Sequence, residues 1–537
     1  MASLKSALLA VGTGVASHLF YFRIGEHHMM PVMYLQLISL ACIASTFALV
    51  NFTGATVLGA LSTVAAFAAC WFTGVYGSLL TYRLLFHPLN EFAGPWQARL
   101  GDLWMSSQLT GLNAYHVFDD LHKRHGRFVR VGSNTLSITD PDTMQPAYGA
   151  NARVTKADWY DGSVPHHSMH TTRDKGLHDR RRRVWAPAFS DKALREYEAT
   201  VQEFNDKLVE KVAEAKGSPM NMTTWFNLYS FDVMGRLAFG KDYGMIESGK
   251  RHWALDLLTE GMGISAYKIP TWVFRILLSI PGAAQGYHKF LKFCSDELRW
   301  RVKNGKNFNK DITGWLLKAY AGEAHPEEDP MLQGDARLII VAGSDTTSAT
   351  LTYLFYHLAQ DPSHVKKLRD ELRPLTQGEW SDKDIQHADH LNGAINEALR
   401  LHPPVPSGIM RKTPPEGVQL GDVYIPGNIT FCTPLYPMGR DDRIYPQADS
   451  FVPERWYSKP DMVKHQDAFA PFSMGPFNCI GRNLARMELR TLTAQLLLKY
   501  DVAFAPGEDG TRILTKTKDH FTVSVGQLDL GFKPVSS

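Results

Sequence analysis

A single cysteine near the carboxyl end of the chain stands in a setting suited to metal ligation. Cys479 follows a loop that contains Gly475, and a helix is expected to begin soon after it. Glycine allows the backbone a positive φ and a close approach to a flat ligand. Amide N–H groups at a helix N-terminus favour a thiolate over a thiol. Phe472 could screen the sulfur from water, although an isolated cysteine of this kind is usually a buried structural residue.

Two further pairs of polar residues lie in segments that are typical of helices. Asp345 and Thr346 interrupt a run from 335 to 360 that is apolar on nearly all sides, which predicts a helix buried through the core. The threonine could simply hydrogen-bond to the carbonyl four residues earlier. Glu397 and Arg400 share one face of a second helix, where such a pair is usually a solvated ion pair.

A basic run precedes both of these segments. It extends from His178 to Arg183, and His178 and Arg182 stand about one helical turn apart. Runs of this kind most often form a solvated face or an anion-binding patch.

Taken together, these segments resemble the cytochrome P450 family. Residues 472–481 match the family pattern FxxGxxxCxG, and residues 342–347 are similar to its oxygen-binding helix. The pair Glu397 and Arg400 resembles the ExxR helix, and residues 453–456 resemble the PERF-type motif. The basic run is similar to the family helix that holds haem propionates. The motifs follow the family's order, and the resemblance extends from about residue 90 to 530.

The resemblance implies a role for each candidate residue. Cys479 is expected to be the axial thiolate ligand of a haem iron, and Asp345 and Thr346 are expected to relay protons to oxygen. The other haem-binding positions that it implies are His178, Arg182, Arg411, Phe472, Gly475 and Gly481. It also implies a buried network that braces the cysteine loop, formed by Glu397, Arg400 and Arg455.

One position departs from the family pattern. The family usually has arginine or histidine two residues before the cysteine, where it helps to hold a haem propionate, and this chain has Phe477. We therefore expect His178, Arg182 and Arg411 to carry more of the propionate anchoring. The remaining basic residues are expected to face an acidic surface of an electron donor, and they are Arg181, Arg183, Arg486 and Arg490.

The implied function is a monooxygenase that uses O2 and electrons from a separate NADPH–cytochrome reductase, with cytochrome b5 as a second donor. The substrate is expected to be a lipophilic small molecule, because the chain resembles fungal microsomal enzymes that tailor terpenoids, alkaloids or polyketides in secondary metabolism. One alternative is a reductase-independent haem-thiolate isomerase or dehydratase, which Asp345 and Thr346 disfavour. Another is a non-enzymatic haem-binding protein, which a turnover assay would exclude.

Composition excludes several other classes of protein. The chain has 537 residues, 44% hydrophobic and 11% aromatic, which suits a large globular core. Its net charge of +3 gives no support for nucleic-acid binding. Its five cysteines lack zinc-type spacing, and their odd number argues against a pure disulfide framework. By family position, the resemblance also implies a substrate pocket drawn in part from segments 155–172 and 225–280, whose aromatic candidates are Trp159, Tyr160, Phe226, Tyr267, Trp272 and Phe274.

The first 86 residues predict a membrane anchor of two to three transmembrane helices, followed by a catalytic domain over 87–537. Apolar stretches lie at about 7–22, 31–50 and 55–80, and the second and third are long enough to span a bilayer. The first could be a span, an interfacial helix or a signal-like segment. Basic residues at the ends of these stretches favour a catalytic domain in the cytosol. The resemblance to microsomal enzymes implies that the membrane is that of the endoplasmic reticulum. On that topology Asn51 is a possible lumenal glycosylation site, although its closeness to the membrane argues against modification.

The soluble part is expected to be mainly α with small β-sheets, as in the cytochrome P450 fold, preceded by the N-terminal transmembrane anchor. The predicted long helices are 190–216, 335–360, 363–376, 388–401 and 483–499. The predicted β-type runs are 127–138, 418–431 and 512–527.

Overall fold

The computed structural model describes residues 4–256, 263, 266–305 and 311–535. These residues form two compact units. The first comprises the described part of Met1–Ser107 together with Val129–Leu136 and Ile269–Ala284. The second comprises the described parts of Gln108–Phe128, Ser137–Lys268 and Gln285–Ser537.

Helices dominate the second unit, and strands are short. In chain order the α-helices are α1 Leu4–Ser17, α2 Pro31–Thr53, α3 Val57–Thr81, α4 Leu103–Gln108, α5 Ala114–His125, α6 Met144–Tyr148, α7 Lys175–Trp185, α8 Asp191–Ala215, α9 Met222–Phe239, α10 Met245–Ser248, α11 Thr271–Ser279, α12 Gln285–Asn304, α13 Ile312–Leu317, α14 Pro330–Gln360, α15 Pro362–Leu372, α16 Asp382–Ile385, α17 Asp389–Leu401, α18 Leu435–Gly439, α19 Arg482–Lys499 and α20 Thr511–Lys516. The prediction of a mainly α fold with small sheets is confirmed.

The strands are β1 Phe128–Arg130, β2 Thr135–Ile138, β3 Thr155–Lys156, β4 Met220–Asn221, β5 Arg411–Lys412, β6 Val418–Leu420, β7 Val423–Ile425, β8 Thr430–Cys432, β9 Tyr500–Phe504, β10 Lys518–His520, β11 Thr522–Ser524 and β12 Asp529–Pro534. In the second unit β5 pairs antiparallel with β3 and with β8. β12 pairs antiparallel with β4 and β9, and β6–β7 and β10–β11 form antiparallel hairpins.

One predicted β-type run is partly helical. Residues 512–527 are rich in β-branched residues, which favours strands, but the run begins inside α20. Gly510 precedes this helix with φ +81°, Ile513 is fully buried, and Arg512 pairs with Glu508 and Asp529. Tertiary contacts therefore override the local β propensity over the first residues of the run.

The core of the second unit is built around α14. This helix begins at Pro330 after Asp329, whose side chain accepts a hydrogen bond from the Leu332 N–H. It lies against α9, and a Cβ at Gly343 would stand 2.4 Å from the Met234 side chain. Gly343 thus permits close packing of the two helices. Both helices are apolar on nearly all sides because protein surrounds them.

The N-terminal apolar stretches form helices as expected. Pro31–Thr53 and Val57–Phe86 are long and apolar enough to cross a membrane. The first stretch forms α1, whose 14 residues are fewer than a bilayer span requires, and a π-helical turn follows at His18–Phe22. Helix α1 packs against α3, since a Cβ at Gly14 or at Gly74 would lie 2.1 Å from a backbone oxygen of the other helix.

Asn51 lies in the last turn of α2, where its amide donates to the Phe47 carbonyl at 2.8 Å. The Thr53 hydroxyl donates to the Leu49 carbonyl at 2.5 Å. The sequon therefore sits on a helix that is a candidate span. Glycosylation of Asn51 stays a prediction.

Helix α19 carries a buried carboxyl group that the sequence motifs did not mark. Glu488 is 1% exposed, and its Oε2 atom has no hydrogen-bond partner within the described part of the chain. Burial raises the pKa of Glu488 from its ordinary 4.5 to about 8. The group is therefore expected to stay protonated in the folded protein at neutral pH.

Glu488→Gln is expected to become increasingly stabilising relative to the wild type as pH rises from about 5 to 8. The unfolded carboxyl ionises near pH 4.5 whereas the folded one keeps its proton to about pH 8. Wild-type stability falls over that window by several kcal/mol, on the order of 5, and glutamine does not titrate. Thermal unfolding followed by circular dichroism at three pH values measures the difference, with the exposed Glu210→Gln as control. A difference between variant and wild type that is constant with pH would contradict the assignment.

Candidate active site

The cysteine loop is held in place by backbone contacts. The Cys479 N–H donates to the Phe472 carbonyl at 2.8 Å. Gly475 has φ +63°, and a Cβ there would lie 2.3 Å from the Tyr148 carbonyl oxygen, so that only glycine fits. Helix α19 begins three residues after the cysteine. The Cys479 side chain remains exposed.

The loop does not make the free thiol acidic. Although Cys479 is exposed, desolvation by the polypeptide packed around the loop raises the pKa of its thiol above the ordinary value. The N–H groups of Gly481 and Arg482 and the charges of Arg182 and Arg482 act in the opposite direction but are smaller effects. The N–H groups at the helix N-terminus therefore act towards the thiolate, as expected, but desolvation by the polypeptide outweighs them. Coordination by a metal ion deprotonates a thiol outright.

Three of the predicted basic residues converge on the cysteine loop. Arg182 on α7 donates to the Asn478 carbonyl at 2.8 Å and to the Asn478 side-chain oxygen. His178, also on α7, is buried and lies with its ring centroid 4.5 Å from that of Phe477. Arg411 on β5 is 2% exposed, and its guanidinium carbon lies 5.2 Å from the Phe477 ring centroid. Two arginines and a histidine from distant parts of the sequence therefore lie on one side of the loop, and burial lowers the pKa of the histidine.

A fourth basic residue in this group was missed by the sequence reasoning. Lys156 on β3 is 3% exposed, and its ammonium nitrogen lies 4.9 Å from the Phe477 ring centroid. It is the strand partner of Arg411. A single lysine in a short strand forms no recognisable sequence pattern. Its place beside the cysteine loop becomes visible only from its pairing with Arg411 in the sheet.

Two of the arginines expected to face an electron donor are buried instead. Arg181 pairs with the fully buried Asp335, and Arg490 pairs with Asp382 through two hydrogen bonds. Their charges are neutralised within the fold, so the surface role predicted for them is wrong. Arg183 is exposed, whereas Arg486 is partly buried and donates to the Asn396 side chain at 2.9 Å. Of the four, only Arg183 therefore keeps an exposed guanidinium.

The polar pair of α14 follows the apolar residues 338–342 and is flanked by the hydroxyl residues Ser344 and Thr347. The Thr346 hydroxyl donates to the Ala342 carbonyl at 2.8 Å, which is the local bond that a helical threonine commonly makes. Asp345 accepts a hydrogen bond from the Thr522 hydroxyl at 3.3 Å. Burial raises the pKa of Asp345 to about 6, while this bond and the charge of Arg251 act to lower it. A carboxyl group with this pKa can exchange a proton near neutral pH.

Glu397, Arg400 and Arg455 meet in the interior, each 3% exposed or less. Arg400 donates to both carboxylate oxygens of Glu397, at 2.9 and 2.7 Å, and Arg455 donates to one of them at 2.9 Å. The Trp456 indole and the Val452 N–H add two further hydrogen bonds at 2.9 Å. The carboxylate is thus saturated with donors.

The aromatic residues expected to line a pocket differ in position. Trp159 is partly exposed and stacks on Phe521 with ring centroids 5.1 Å apart. Tyr160 is buried, and Arg411 donates to its hydroxyl at 3.3 Å. Phe226 is fully buried against Phe355, so its predicted pocket role is wrong.

The other aromatic candidates do not join this group. Tyr267 is 49% exposed, and Trp272 and Phe274 belong to the first compact unit. Part of the predicted pocket segment 225–280 lies outside the described residues.

Comparison with known proteins decides the family. The sequence profile described as Cytochrome P450 matches residues 99–530. The chain belongs to the cytochrome P450 family. It is 41% identical to cytochrome P450 monooxygenase lcsK of Purpureocillium lilacinum, over 96% of both chains. It is also 41% identical to tryprostatin B 6-hydroxylase of Aspergillus fumigatus, over 96% of this chain and 94% of that protein. The predicted monooxygenase class is confirmed.

The fold is also that of the family. A crystal structure of the cytochrome P450DA heme domain superimposes with a TM-score of 0.68, covering 80% of this chain and 95% of that one at 18% identity. Cytochromes P450 are haem-thiolate enzymes that act on small molecules. The apolar N-terminal helices are suited to a membrane anchor of the microsomal type.

The residues present fit a haem. The Cys479 side chain is exposed, and Ala342 is exposed between the buried Ile340 and Ser344 in the middle of α14. At Gly481 a Cβ would meet only ordinary contacts, the nearest at 3.8 Å, so polypeptide packing does not demand glycine there. Space beside the sulfur is therefore available to a flat ligand. The buried Arg411 Nε has no hydrogen-bond partner among the described residues, so its N–H is available to an anionic group such as a propionate.

Proposed function

We propose that this protein oxidises a lipophilic small molecule of fungal secondary metabolism, with electrons from a separate NADPH–cytochrome reductase and with cytochrome b5 as a second donor. The observation that carries the proposal is the exposed Cys479 thiol in a loop surrounded by basic side chains. Residues 1–86 anchor the chain in the endoplasmic reticulum membrane, and residues 87–537 form the catalytic domain in the cytosol. The two apolar helices, long enough to span a bilayer, support this arrangement.

In this proposal Cys479 ligates the haem iron, and Gly475 and Gly481 shape the loop around it. Phe472 shields the sulfur. The hydrogen bond from the Cys479 N–H to the Phe472 carbonyl supports this role, because it holds the two residues next to each other. His178, Arg182 and Arg411 hold the propionates. The clustering of the last three around the loop supports that role.

The haem supplies the oxygen chemistry and the oxidation of a C–H bond, and the polypeptide supplies ligation, protons and substrate placement. Asp345 Oδ2 is proposed to take a proton from solvent, helped by a pKa of about 6. Thr346 Oγ1 is proposed to hold the group that delivers this proton by accepting a hydrogen bond from it. Because the hydroxyl hydrogen of Thr346 is bonded to the Ala342 carbonyl, the lone pairs of its oxygen stay available to accept that bond.

Thr346→Ala is expected to uncouple electron consumption from product formation. Loss of the hydroxyl interrupts proton delivery, so reduced oxygen should leave as hydrogen peroxide. Losses of general acid–base groups typically cost about 10²–10⁴-fold in rate. Product, peroxide and NADPH consumption are measured together, with Thr350→Ala, one turn further along α14, as the control. Coupling equal to that of the wild type would refute the relay role.

The partly exposed aromatic surface of Trp159 and Phe521 supports a lipophilic substrate. A relative named tryprostatin B 6-hydroxylase supports hydroxylation of a small molecule. An alkaloid is one candidate class. Terpenoids and polyketides are the other candidates of matching polarity.

The test is reconstitution of the full-length protein with reductase, NADPH and oxygen, combined with metabolite profiling of a strain in which the gene is deleted. An accumulating precursor that the reconstituted enzyme converts with incorporation of one oxygen atom supports the proposal. Turnover of a peroxide substrate without reductase would instead indicate an isomerase or dehydratase. Haem binding without turnover of the accumulated precursor would indicate a binding protein.

A further inference from the structure

Phe477 stands where the family usually has a basic residue, and its surroundings in this chain are basic. Its ring contacts the His178 ring, with centroids 4.5 Å apart, and lies within reach of two cations. The Lys156 Nζ and the Arg411 Cζ are 4.9 and 5.2 Å from the ring centroid. Position 477 carries no cation, but the side chains of Lys156 on β3 and Arg411 on β5 lie beside it.

Lys156 is the member of this group that no motif accounts for. It pairs with Arg411 across strands β3 and β5, which fixes the two side chains beside one another. Its ammonium group donates to the carbonyls of Met169 at 3.0 Å and His170 at 2.7 Å. An ammonium has three donors, so one is left for a further acceptor.

Basic side chains outnumber acidic ones in this buried place, and burial together with the charge of Arg411 holds the pKa of Lys156 well below its ordinary value. An anion beside Lys156 would favour its charged form. Lys156 and Arg411 are 3% and 2% exposed. The nearby carboxylate of Asp179 is shared between Lys175 and His178. Buried charges are costly unless they are paired, so this cluster is suited to an anionic ligand. A haem carries two propionates.

We propose that Lys156 binds a haem propionate and replaces the basic residue that the family has at position 477. The inference rests on the proposed haem site, and it deepens it by naming a cofactor-binding residue outside the family's motifs. Phe477 then fills the space of the family's basic side chain and packs against Lys156 and Arg411. Lys156 supplies the positive charge that this side chain would have carried.

The experiment measures haem loss from the full-length holoprotein in membranes or nanodiscs. Transfer of haem to excess apomyoglobin gives a first-order rate, which requires no substrate or reductase. Lys156→Met is expected to lose haem about tenfold faster than the wild type, as suits one charge-assisted hydrogen bond. The control is Lys412→Met, which changes the residue that follows Arg411 on β5. Its rate of haem loss should stay near that of the wild type.

A second variant separates haem binding from support of the fold. Lys156 also holds the Met169–His170 segment, so Lys156→Met could lose haem through local distortion. Adding Phe477→Arg to Lys156→Met returns a cation to the family position without restoring those two carbonyl bonds. The proposal expects this double variant to regain most of the wild-type retention, and Lys156→Arg to retain haem on its own.

Each outcome decides the matter. A wild-type rate for Lys156→Met overturns the proposal. Faster loss that Phe477→Arg does not reverse also overturns it, because Lys156 would then act only through the fold. A wild-type protein without a haem-thiolate spectrum would refute the proposed haem site itself, which is a separate result seen before any variant is made.

Discussion

Cys479→Ser is expected to abolish the thiolate spectrum and monooxygenation together. A serine hydroxyl fills nearly the same volume, and the backbone bond from residue 479 to the Phe472 carbonyl does not depend on the side chain. The loop should therefore keep its shape while the iron loses its sulfur ligand. The loss of a thiolate removes the electron donation that promotes O–O cleavage. Reduced-CO difference spectroscopy and product analysis measure the two effects in one preparation.

The matched control is Cys432→Ser, the same chemical change in β8. Cys432 is 2% exposed, and burial raises the pKa of its thiol to about 11, so it is a neutral core residue. Its variant should keep the thiolate spectrum. A Cys479→Ser protein that kept both the spectrum and turnover would refute the ligand assignment, and loss of the spectrum in Cys432→Ser would point to general unfolding instead.

Local patterns were sufficient for the elements that carry the site. The apolar run around Asp345 predicted α14, and the ExxR segment predicted α17, because burial on one or all sides leaves a period in the sequence. The start of α14 was missed by five residues. Those residues begin at a proline that follows an aspartate cap, and they include Gly334, a poor helix former, so helix propensity and periodicity did not extend the prediction to Pro330.

The properties that were predicted wrongly depend on partners far along the chain. Arg181 meets Asp335, more than 150 residues away, and Arg490 meets Asp382 at a separation of 108. A sequence window cannot show that such a charge is neutralised and buried. Lys156 was missed for the same reason, since its partner Arg411 comes from another strand.

The acidity of Cys479 depends on more than its local motif. The N–H groups expected to favour the thiolate act in that direction, but desolvation by the polypeptide packed around the loop is the larger effect. Desolvation depends on how the whole fold closes around a group, and no local motif reports it.

Glu397→Gln is expected to prevent the protein from reaching a stable, haem-containing state. The carboxylate accepts five hydrogen bonds, three at Oε1 and two at Oε2. An amide would direct its NH2 group at donors on one side and would leave two buried guanidinium charges without a counter-ion. Removing one partner of a buried ion pair costs about 3–5 kcal/mol. That is a large part of the 5–15 kcal/mol that typically holds a domain together.

The control is Glu454→Gln in the adjacent motif. Glu454 pairs with the half-exposed Lys367 at 2.6 Å, and solvent can replace that contact. Surface pairs contribute about 0–1 kcal/mol, so this variant should accumulate with haem at the wild-type level. Haem content per protein and the thermal unfolding midpoint compare the two glutamine variants. Equal values for both would refute the central role of Glu397.

Limited proteolysis can show where the damage begins. The guanidinium groups that Glu397 orients donate to backbone carbonyls between residues 439 and 462: Arg400 to Ala448 and Ser450, and Arg455 to Pro446 and Met462. This segment leads directly into the cysteine loop. Without Glu397 no carboxylate orients the two arginines, and their bonds to this segment should weaken. Trypsin should therefore cut first at Arg443, which is exposed within the segment. Initial cleavage elsewhere would mean that the network stabilises the core in general and does not brace the cysteine loop.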